Sequence, residues 1–97
     1  MEPTTVLRRN PRVEYRSMGE GEGGVLLHLD TAAYHGLNEV GSLIWRLLEE
    51  PAAFDALLDQ VRDELDALPP GAEDEIAGFL DDLIARDLVL DESTPAS

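Results

Sequence analysis

The side chains that most often act as enzyme nucleophiles are scarce in this sequence and have no neighbour to activate them. The chain has no cysteine, and none of its serines has a histidine beside it: Ser17, Ser42, Ser93 and Ser97. A hydroxyl nucleophile needs an adjacent general base to react near neutral pH. The glycines from Gly19 to Gly24 are not followed by the Gly-Lys-Ser/Thr of a phosphate-binding loop. We therefore predict that the protein is not an enzyme and has no catalytic residue and no cofactor.

Two histidines are the remaining candidates for metal or proton chemistry. His28 and His35 flank a turn that begins at Asp30, and pairing of Leu29 with Tyr34 would make the two histidines cross-strand neighbours. Two imidazoles without an obvious third ligand are usually ordinary strand residues, because zinc sites take three or four protein ligands. The lack of cysteine also excludes disulfides and thiolate metal sites. We predict no metal site.

The charge balance of the chain is strongly one-sided. Its 21 acidic residues against 7 lysines and arginines give a formal charge of −14. Such a field repels phosphate backbones and anionic membranes and attracts basic or neutral partners. The N-terminus lacks an apolar signal core, and no apolar run approaches the ~20 residues that span a bilayer. We predict a cytoplasmic protein that binds neither nucleic acid nor membrane.

Alternating apolar and polar residues in the first part of the chain predict three strands. Val13, Tyr15 and Ser17 alternate with charged residues, as is typical of a half-exposed strand. A glycine-rich connector over residues 19–24 leads to a second strand, and "AYHGL" returns after the turn at Asp30. With the pairing considered above, the larger apolar face of this sheet is Val25, Leu27, Leu29 and Tyr34.

Apolar residues at helical spacing predict three helices in the rest of the chain. Asn38 is a good N-cap residue for the first helix, which Pro51 ends. The second helix runs from about Ala53 until the "LPPG" stretch breaks it. Gly71 precedes the third helix, whose acidic first turn suits the positive end of the helix dipole. The apolar stripe of this third helix is Ile76, Phe79, Leu80, Leu83 and Ile84.

This order of elements predicts an α+β fold that is winged helix-turn-helix-like, with a three-stranded antiparallel sheet followed by three helices. The folded domain covers residues 11–90, between a flexible N-terminus over residues 1–10 and a flexible tail over residues 91–97. A three-stranded sheet has two edges, which are either protected or used for binding. "AAYHGL" contains no proline or lysine, the residues that commonly protect an edge.

The series of residues along the chain resembles the PqqD-like family, the RiPP recognition elements. "GGVLLHLDTAAYHGLNEVGSLIWRLLEE" and "IAGFLDDLIARDLVL" carry the resemblance, which extends over residues 11–90. It implies a non-catalytic domain that captures the leader segment of a ribosomally made precursor peptide. Two features depart from the family pattern. Asp87 stands where a helix-ending glycine is common, and the second helix lacks a serine or threonine cap.

In that family the leader adds as a strand to the edge of the third strand, against the third helix. If the leader lies there, helical spacing places Glu75, Phe79, Asp82, Leu83 and Arg86 along one flank of the third helix. We predict that Phe79 and Leu83 wall an apolar pocket for an aromatic or proline anchor of the leader. Glu75 and Asp82 would hold basic or hydrogen-bonding groups, and Arg86 would hold an acidic group. The predicted peptide-binding residues are Ala33, Tyr34, His35, Gly36, Leu37, Glu75, Phe79, Asp82, Leu83 and Arg86.

Among the pathways that such domains serve, the separate lasso peptide type is the one that this small acidic chain most resembles. The partners then implied are the precursor leader peptide, a leader-cleaving cysteine protease and a macrolactam cyclase. A pyrroloquinoline quinone-type peptide chaperone for a radical-SAM enzyme is the alternative within the family.

Two alternatives come from other classes of protein. A DNA-binding winged helix would need a basic recognition helix, whereas the third helix has Arg86 among a majority of acids. A structural subunit could instead pair its edge strand with a second copy of itself. We predict a monomer or weak dimer that binds peptide.

Overall fold

Two small antiparallel sheets and three helices make up the fold in the computed structural model, which describes residues 1–19, 23–66 and 68–92. The predicted α+β class, a three-stranded antiparallel sheet followed by three helices, is confirmed. An additional strand, β1, precedes the predicted ones, so the three strands of the predicted sheet are numbered β2, β3 and β4. In chain order the elements are β1 (Val6–Arg9), β2 (Val13–Ser17), β3 (Gly24–His28), β4 (Tyr34–Leu37), α1 (Glu39–Leu47), β5 (Ala52–Ala53), α2 (Phe54–Leu65), α3 (Ala72–Ala85) and β6 (Val89–Asp91).

The sheet β2–β3–β4 contains the predicted hairpin, but its register is shifted by two residues. Leu27 pairs with Tyr34, and His35 lies opposite Leu26, so the prediction that the two histidines are cross-strand neighbours is wrong. Six residues, 28–33, separate the paired Leu27 and Tyr34, where the prediction had the four residues 30–33. Ala32 among them adopts a left-handed conformation with a φ of 58°. Each residue of the returning strand therefore lies opposite a residue two positions earlier in β3 than predicted.

The buried face of this sheet is the opposite of the predicted one. Leu26 is 0% exposed and His28 is 2% exposed, because their face packs against the rest of the protein. Tyr34 on the other face is 73% exposed. The number of apolar residues on a strand face does not decide burial, since the helices cover only one face. The outer face consists of Val25, Leu27, Leu29 and Tyr34.

The sheet in the order β5–β1–β6 is a feature that the sequence does not predict. β1 lies within residues 1–10, where we predicted a flexible terminus, yet Leu7 at its centre is 0% exposed. Leu7 pairs with Ala52 of β5 and with Asp91 of β6. The apolar run of β1 is too short for periodicity to reveal, and both its partners are distant in the chain. Of the predicted tail, residues 93–97 lie outside the described residues.

The helix boundaries follow local signals. The N-cap prediction for Asn38 is confirmed, since its side-chain oxygen accepts the N–H of Gly41 over 2.7 Å. α2 begins after Ala53, which provides no side-chain cap, and α3 follows Gly71 with a φ of 85°. Asp87, which stands where a helix-ending glycine is common, follows α3 with a φ of 62°, the left-handed conformation that such a glycine adopts.

One hydrophobic core joins both sheets to all three helices. It includes Leu37 at the end of β4 and Ile76, Leu80 and Leu83 of α3. Within the described ranges, no helix is long and apolar enough to cross a membrane. The buried core residues are Leu7, Leu26, Leu37, Ile44, Trp45, Leu48, Phe54, Leu57, Leu58, Val61, Ile76, Leu80, Leu83, Leu88 and Val89.

Candidate functional site

β4 is an edge strand. The order β2–β3–β4 gives β4 a strand partner on one side, and among the described residues no strand pairs with its other side. A Cβ built on Gly36 would meet no atom within 4 Å, so the outer face at this point is open. Ala33 is exposed as well, whereas Leu37 is 5% exposed and anchors the end of the strand in the core.

The backbone groups that β4 directs to this open edge belong to Tyr34 and Gly36. In an antiparallel ladder, hydrogen-bonded and non-hydrogen-bonded residue pairs alternate. The N–H of His28 donates to the carbonyl of Ala33 over 3.0 Å, so these two residues form a hydrogen-bonded pair. The next pair, Leu27 with Tyr34, is then not hydrogen-bonded, and the pair after it, Leu26 with His35, is hydrogen-bonded. His35 therefore directs its N–H and C=O toward β3. The N–H and C=O of the residues on either side of it point away from β3.

One flank of α3 is turned toward β4. The Nε2 of His35 lies 4.0 Å from the Oδ2 of Asp82, and the Nε of Arg86 donates to the same oxygen over 3.0 Å. Further toward the start of the helix, the ring of Phe79 packs over α1, since a Cβ built on Gly41 would lie 3.1 Å from its Cζ. The structure thus places His35 of β4 beside Asp82 and Arg86 of α3, and we call the space between β4 and this flank of α3 the groove. Toward the start of α3, Glu75 and Phe79 line a pocket together with residues of α1 and α2.

Leu83 does not line the groove. It is 0% exposed and packs in the core, so it offers no surface to a peptide in the groove. Successive residues of a helix are rotated by about 100°, which places Leu83 on the core side while its neighbour Asp82 stays at the groove. The predicted role of Leu83 as a pocket wall is therefore replaced by a role in packing.

An apolar pocket of about 250 Å³ continues the groove beyond the end of β4. Phe79 belongs to both the groove and the pocket, and Glu75 lies at the pocket's lining. Our sequence-based site contains no residue of α1 or α2, although both helices line the pocket. The apolar stripe of α2 continues to Leu65, which is 42% exposed. An apolar residue beyond those that the core buries is the signal in the sequence that could have indicated this pocket. The lining includes Gly41, Ile44, Leu65, Leu68, Ile76 and Phe79.

A charged pair links the turn that precedes β4 to the β1–β2 connection. The guanidinium of Arg12 donates to the Oδ1 of Asp30 through Nε and Nη2, over 3.0 and 2.9 Å. This hydrogen bond lowers the pKa of Asp30 below its ordinary value and raises the pKa of Arg12. Both side chains are exposed to solvent, so the pair contributes little to global stability. Its effect is local, at the entry to the edge strand.

His28 makes a polar contact that the sequence does not predict. Its Nε2 lies 3.0 Å from the Oδ2 of Asp87, at the end of α3. In the part of the chain that the structure describes, no group of three or more histidine, cysteine, aspartate and glutamate side chains is arranged to hold a metal ion. His28 therefore belongs to the hydrogen-bonding structure of the protein.

Comparison with protein families shows which family this chain belongs to. The model of the family described as "Coenzyme PQQ synthesis protein D (PqqD)" matches residues 23–89. The chain belongs to the PqqD family. The resemblance seen in the sequence is thereby confirmed. The matched span of this PqqD-family protein begins at the hairpin and ends in β6, so it includes both walls of the groove.

A solved structure described as "TbiB1 in Complex with the TbiA(beta) Leader Peptide" is similar to this chain. The two share 31% sequence identity and superpose with a TM-score of 0.71, over 92% of this chain and 99% of that chain. Comparison with curated proteins gave no match. The similarity therefore extends beyond the family span and includes most of the structure described above.

Proposed function

We propose that this PqqD-family protein is a non-catalytic binding protein that captures the leader segment of a ribosomally made precursor peptide by strand addition. The observation that carries the proposal is the open edge at Tyr34 and Gly36, beside the flank of α3. In strand addition, main-chain hydrogen bonds give affinity and side-chain pockets give specificity. The similar protein TbiB1 was solved with a leader peptide, which supports the same class of ligand here.

The size of the edge sets how much the backbone alone can contribute. β4 has four residues, which corresponds to roughly 13 Å of extended guest chain. Tyr34 and Gly36 offer two donors and two acceptors, and each hydrogen bond adds a net ~0.5–1.5 kcal/mol. Association itself costs at least ~4 kcal/mol. Backbone pairing therefore cancels little more than this cost, and tight binding must come from side chains in the groove.

The pocket at the end of the groove is the proposed site for an apolar anchor of the leader. Its volume of about 250 Å³ is sufficient for one aromatic or proline side chain. Phe79 lines both the groove and the pocket, so a guest that pairs with β4 reaches the pocket with the residues just beyond the paired segment. Burial of such an anchor contributes ~1.5–3 kcal/mol, about ten- to a hundredfold in affinity.

The charged residues of the flank are proposed to select the residues around the anchor. Glu75 accompanies the pocket, where it would favour a basic or hydrogen-bonding group of the leader. Asp82 and Arg86 pair with each other over 3.0 Å, so together they offer an acceptor and a donor at the other end of the groove. Arg86 would receive an acidic group of the guest. Because these side chains are partly exposed, they act mainly on association rate and specificity.

The proposed partners beyond the leader are the processing enzymes of lasso peptide biosynthesis in the cytoplasm: a leader-cleaving cysteine protease and a macrolactam cyclase. The outer face of the sheet supports a protein partner, because exposed apolar patches are typical of interaction surfaces. This face is separate from the groove but shares β4 with it. A captured leader and an enzyme could therefore contact the same sheet. Its exposed apolar residues include Leu29 and Tyr34, and Met18 lines a cavity on this face together with Tyr34.

A pyrroloquinoline quinone-type chaperone for a radical-SAM enzyme is a second candidate, because the matching family is described by coenzyme PQQ synthesis. Both candidates use the same groove, and they differ in the enzyme that receives the peptide. Co-purification of the leader-bound protein with each class of enzyme distinguishes them. Capture of the radical-SAM enzyme, without the protease, would favour the second candidate.

Fluorescence polarisation with labelled peptides tests the proposed function. The probes are the leader of the precursor encoded beside this protein's gene and the TbiA(beta) leader, each with a scrambled version of the same composition. We expect saturable binding of an intact leader, and no binding of the scrambled peptides or of duplex DNA, which a formal charge of −14 repels. Failure of both leaders to bind, or equal binding of their scrambled versions, would overturn the proposal.

A further inference from the structure

A cluster of polar side chains lies at the end of the groove where α3 stops. We call it the groove-end cluster, and it consists of Asn10, Arg12, His28, Asp30 and Asp87. These residues come from the β1–β2 connection, the β3–β4 turn region and the end of α3. Peptide binding as proposed above uses none of them.

His28 is the buried centre of the cluster, with 2% of its surface exposed. Its Nδ1 accepts the backbone N–H of Asp30 over 3.2 Å. A proton on Nδ1 would place two donors against each other, so the hydrogen-bond partners assign the proton to Nε2. The Nε2–H then donates to the Oδ2 of Asp87 over 3.0 Å. The imidazole thus links the hairpin that carries β4 to the end of α3.

Asp87 is held in place from a second direction. The side-chain amide of Asn10 donates to the carbonyl oxygen of Asp87 over 2.7 Å and to its Oδ2 over 3.2 Å. The backbone N–H of Asn10 also donates to the carbonyl of Leu88 over 3.1 Å. These contacts fix both the left-handed backbone of Asp87 and the direction of its carboxylate. The carboxylate is therefore already oriented toward His28.

We propose that His28 and Asp87 are positioning residues that fix the separation of β4 from α3, so that the groove is already formed when the leader arrives. This inference rests on the proposed function. The contact between His35 and Asp82 along the groove is 4.0 Å, longer than a hydrogen bond, and so does not itself fix the walls. At the opposite end of the groove, Phe79 packs over Gly41. The His28–Asp87 bond supplies the second fixed point.

The expected effect follows from the fraction of molecules whose groove is competent. When only a fraction of a protein is in the binding-competent state, the apparent Kd rises by the inverse of that fraction. Loss of the His28–Asp87 bond should therefore weaken leader binding by roughly tenfold if about one molecule in ten retains the correct wall separation. The loss should appear mainly in the association rate, because the contacts of the bound state are unchanged.

The decisive variants act on Asp87 without straining its backbone. Asp87→Gly keeps the left-handed conformation, which glycine adopts readily, and removes the carboxylate. Asp87→Asn also tolerates this conformation and keeps an oxygen that can accept the Nε2–H of His28. Val61→Ala is the control for stability, because Val61 is 0% exposed on α2 and its truncation lowers stability without altering the cluster.

We expect Asp87→Gly to slow leader association about tenfold, Asp87→Asn to restore it largely, and Val61→Ala to bind normally at a comparable loss of Tm. Normal binding by Asp87→Gly, or equal weakening by Val61→Ala, would overturn the positioning role.

A measurement without peptide separates this inference from the proposed function. Since the chain contains no cysteine, Thr31→Cys and Asp81→Cys introduce unique sites for spin labels at two exposed positions, one on the hairpin turn and one on α3. We expect a narrow distance distribution that broadens in Asp87→Gly and becomes narrow again in Asp87→Asn. An unchanged distribution in Asp87→Gly would contradict the inference even if the leader binds. If the leader does not bind to any variant, the proposed function fails, while the distances still report on the role of the cluster.

Discussion

At the scale of the residue, the direction of each backbone amide in β4 determines what a side-chain substitution can report. Tyr34 and Gly36 point their N–H groups to the open edge, whereas His35 points its N–H to β3. The N–H groups of neighbouring residues in β4 therefore have different partners: those at the open edge can bond a guest strand, and that of His35 bonds β3. A substitution that removes an amide hydrogen distinguishes these roles.

We predict that Gly36→Pro and Tyr34→Pro weaken leader binding at least about tenfold, through the lost edge donor and the bulk of the ring at the edge. Both variants should keep the hairpin, because β3 does not use these N–H groups. His35→Pro should instead break the pairing of β3 with β4, which circular dichroism and amide exchange would reveal. Gly36→Ala keeps the N–H and enters open space, so it is the matched control and should bind normally. Normal binding by both folded edge variants would exclude strand addition at β4.

The pair of Arg12 and Asp30 gives a pH-dependent prediction at the same scale. The hydrogen bond from Arg12 lowers the pKa of Asp30 in the folded protein. A carboxyl with a lowered folded-state pKa stabilises the native state above its unfolded-state pKa, and loses this effect as the pH falls through the folded-state value. We expect Arg12→Gln to raise the pKa of Asp30 toward its ordinary value, as measured by NMR titration of the side-chain carboxyl. The global stability at neutral pH should change little, because both groups are exposed. An unchanged Asp30 titration would contradict this assignment.

At the scale of the element, α3 serves the core and the groove with different faces. Leu80 and Leu83 are 0% exposed, while Phe79 reaches the pocket and Asp82 the rim. The period of 3.6 residues explains how one helix has both roles, since residues three and four apart share a face. Stability and peptide affinity should therefore respond to different substitutions on this helix.

We predict that Phe79→Ala weakens leader binding by roughly ten- to a hundredfold, because it removes the wall shared by groove and pocket. Leu83→Ala should lower the free energy of unfolding by ~2–5 kcal/mol and leave binding by the folded fraction near normal. Asp82→Lys should act on association rate and salt dependence, while Asp81→Lys on an exposed position is the control. Polarisation and thermal melts of the same samples provide both readouts. Equal losses for Asp81→Lys and Phe79→Ala would show that the groove is assigned to the wrong flank.

At the scale of the whole molecule, the sheet β5–β1–β6 joins parts of the chain that are far apart in sequence. β1 pairs with β5, which precedes α2, and with β6, which follows α3. The carbonyl of Trp45 also accepts two hydrogen bonds from the side chain of Arg9, over 2.8 and 2.6 Å. The N-terminal segment is thus part of the structure that holds the helices in place.

We predict that Leu7→Ala lowers the free energy of unfolding by ~2–5 kcal/mol, because it leaves a cavity at a fully buried position. Deletion of residues 1–9 should destabilise the protein at least as much, since it also removes the pairing with β5 and β6. Thr4→Ala, at an exposed position, is the control and should change stability little. Denaturant unfolding measures all three variants. A deletion variant as stable as the intact chain would contradict a structural role for β1.

The sequence by itself determined the features that depend on local signals. Asn38 caps α1, Asp87 ends α3 in the left-handed conformation, and periodicity identifies the hairpin and the three helices. The lack of proline and lysine in "AAYHGL" indicated an edge free to bind, and the two longer stretches that carry the resemblance indicated the family. These features need only neighbouring residues, or residues within one or two turns, to be recognised.

Only the tertiary structure decided which face of the sheet is buried, since both faces of β3 carry apolar residues and the helices cover one of them. It also decided the register, in which Leu27 rather than Leu29 pairs with Tyr34. The burial of Leu7 and of Leu83, and the pocket that α1 and α2 complete, depend on packing between distant segments. Periodicity within one segment carries no information about such packing, because the free energy of burial depends on the apolar surface of other segments that removes the residue from water.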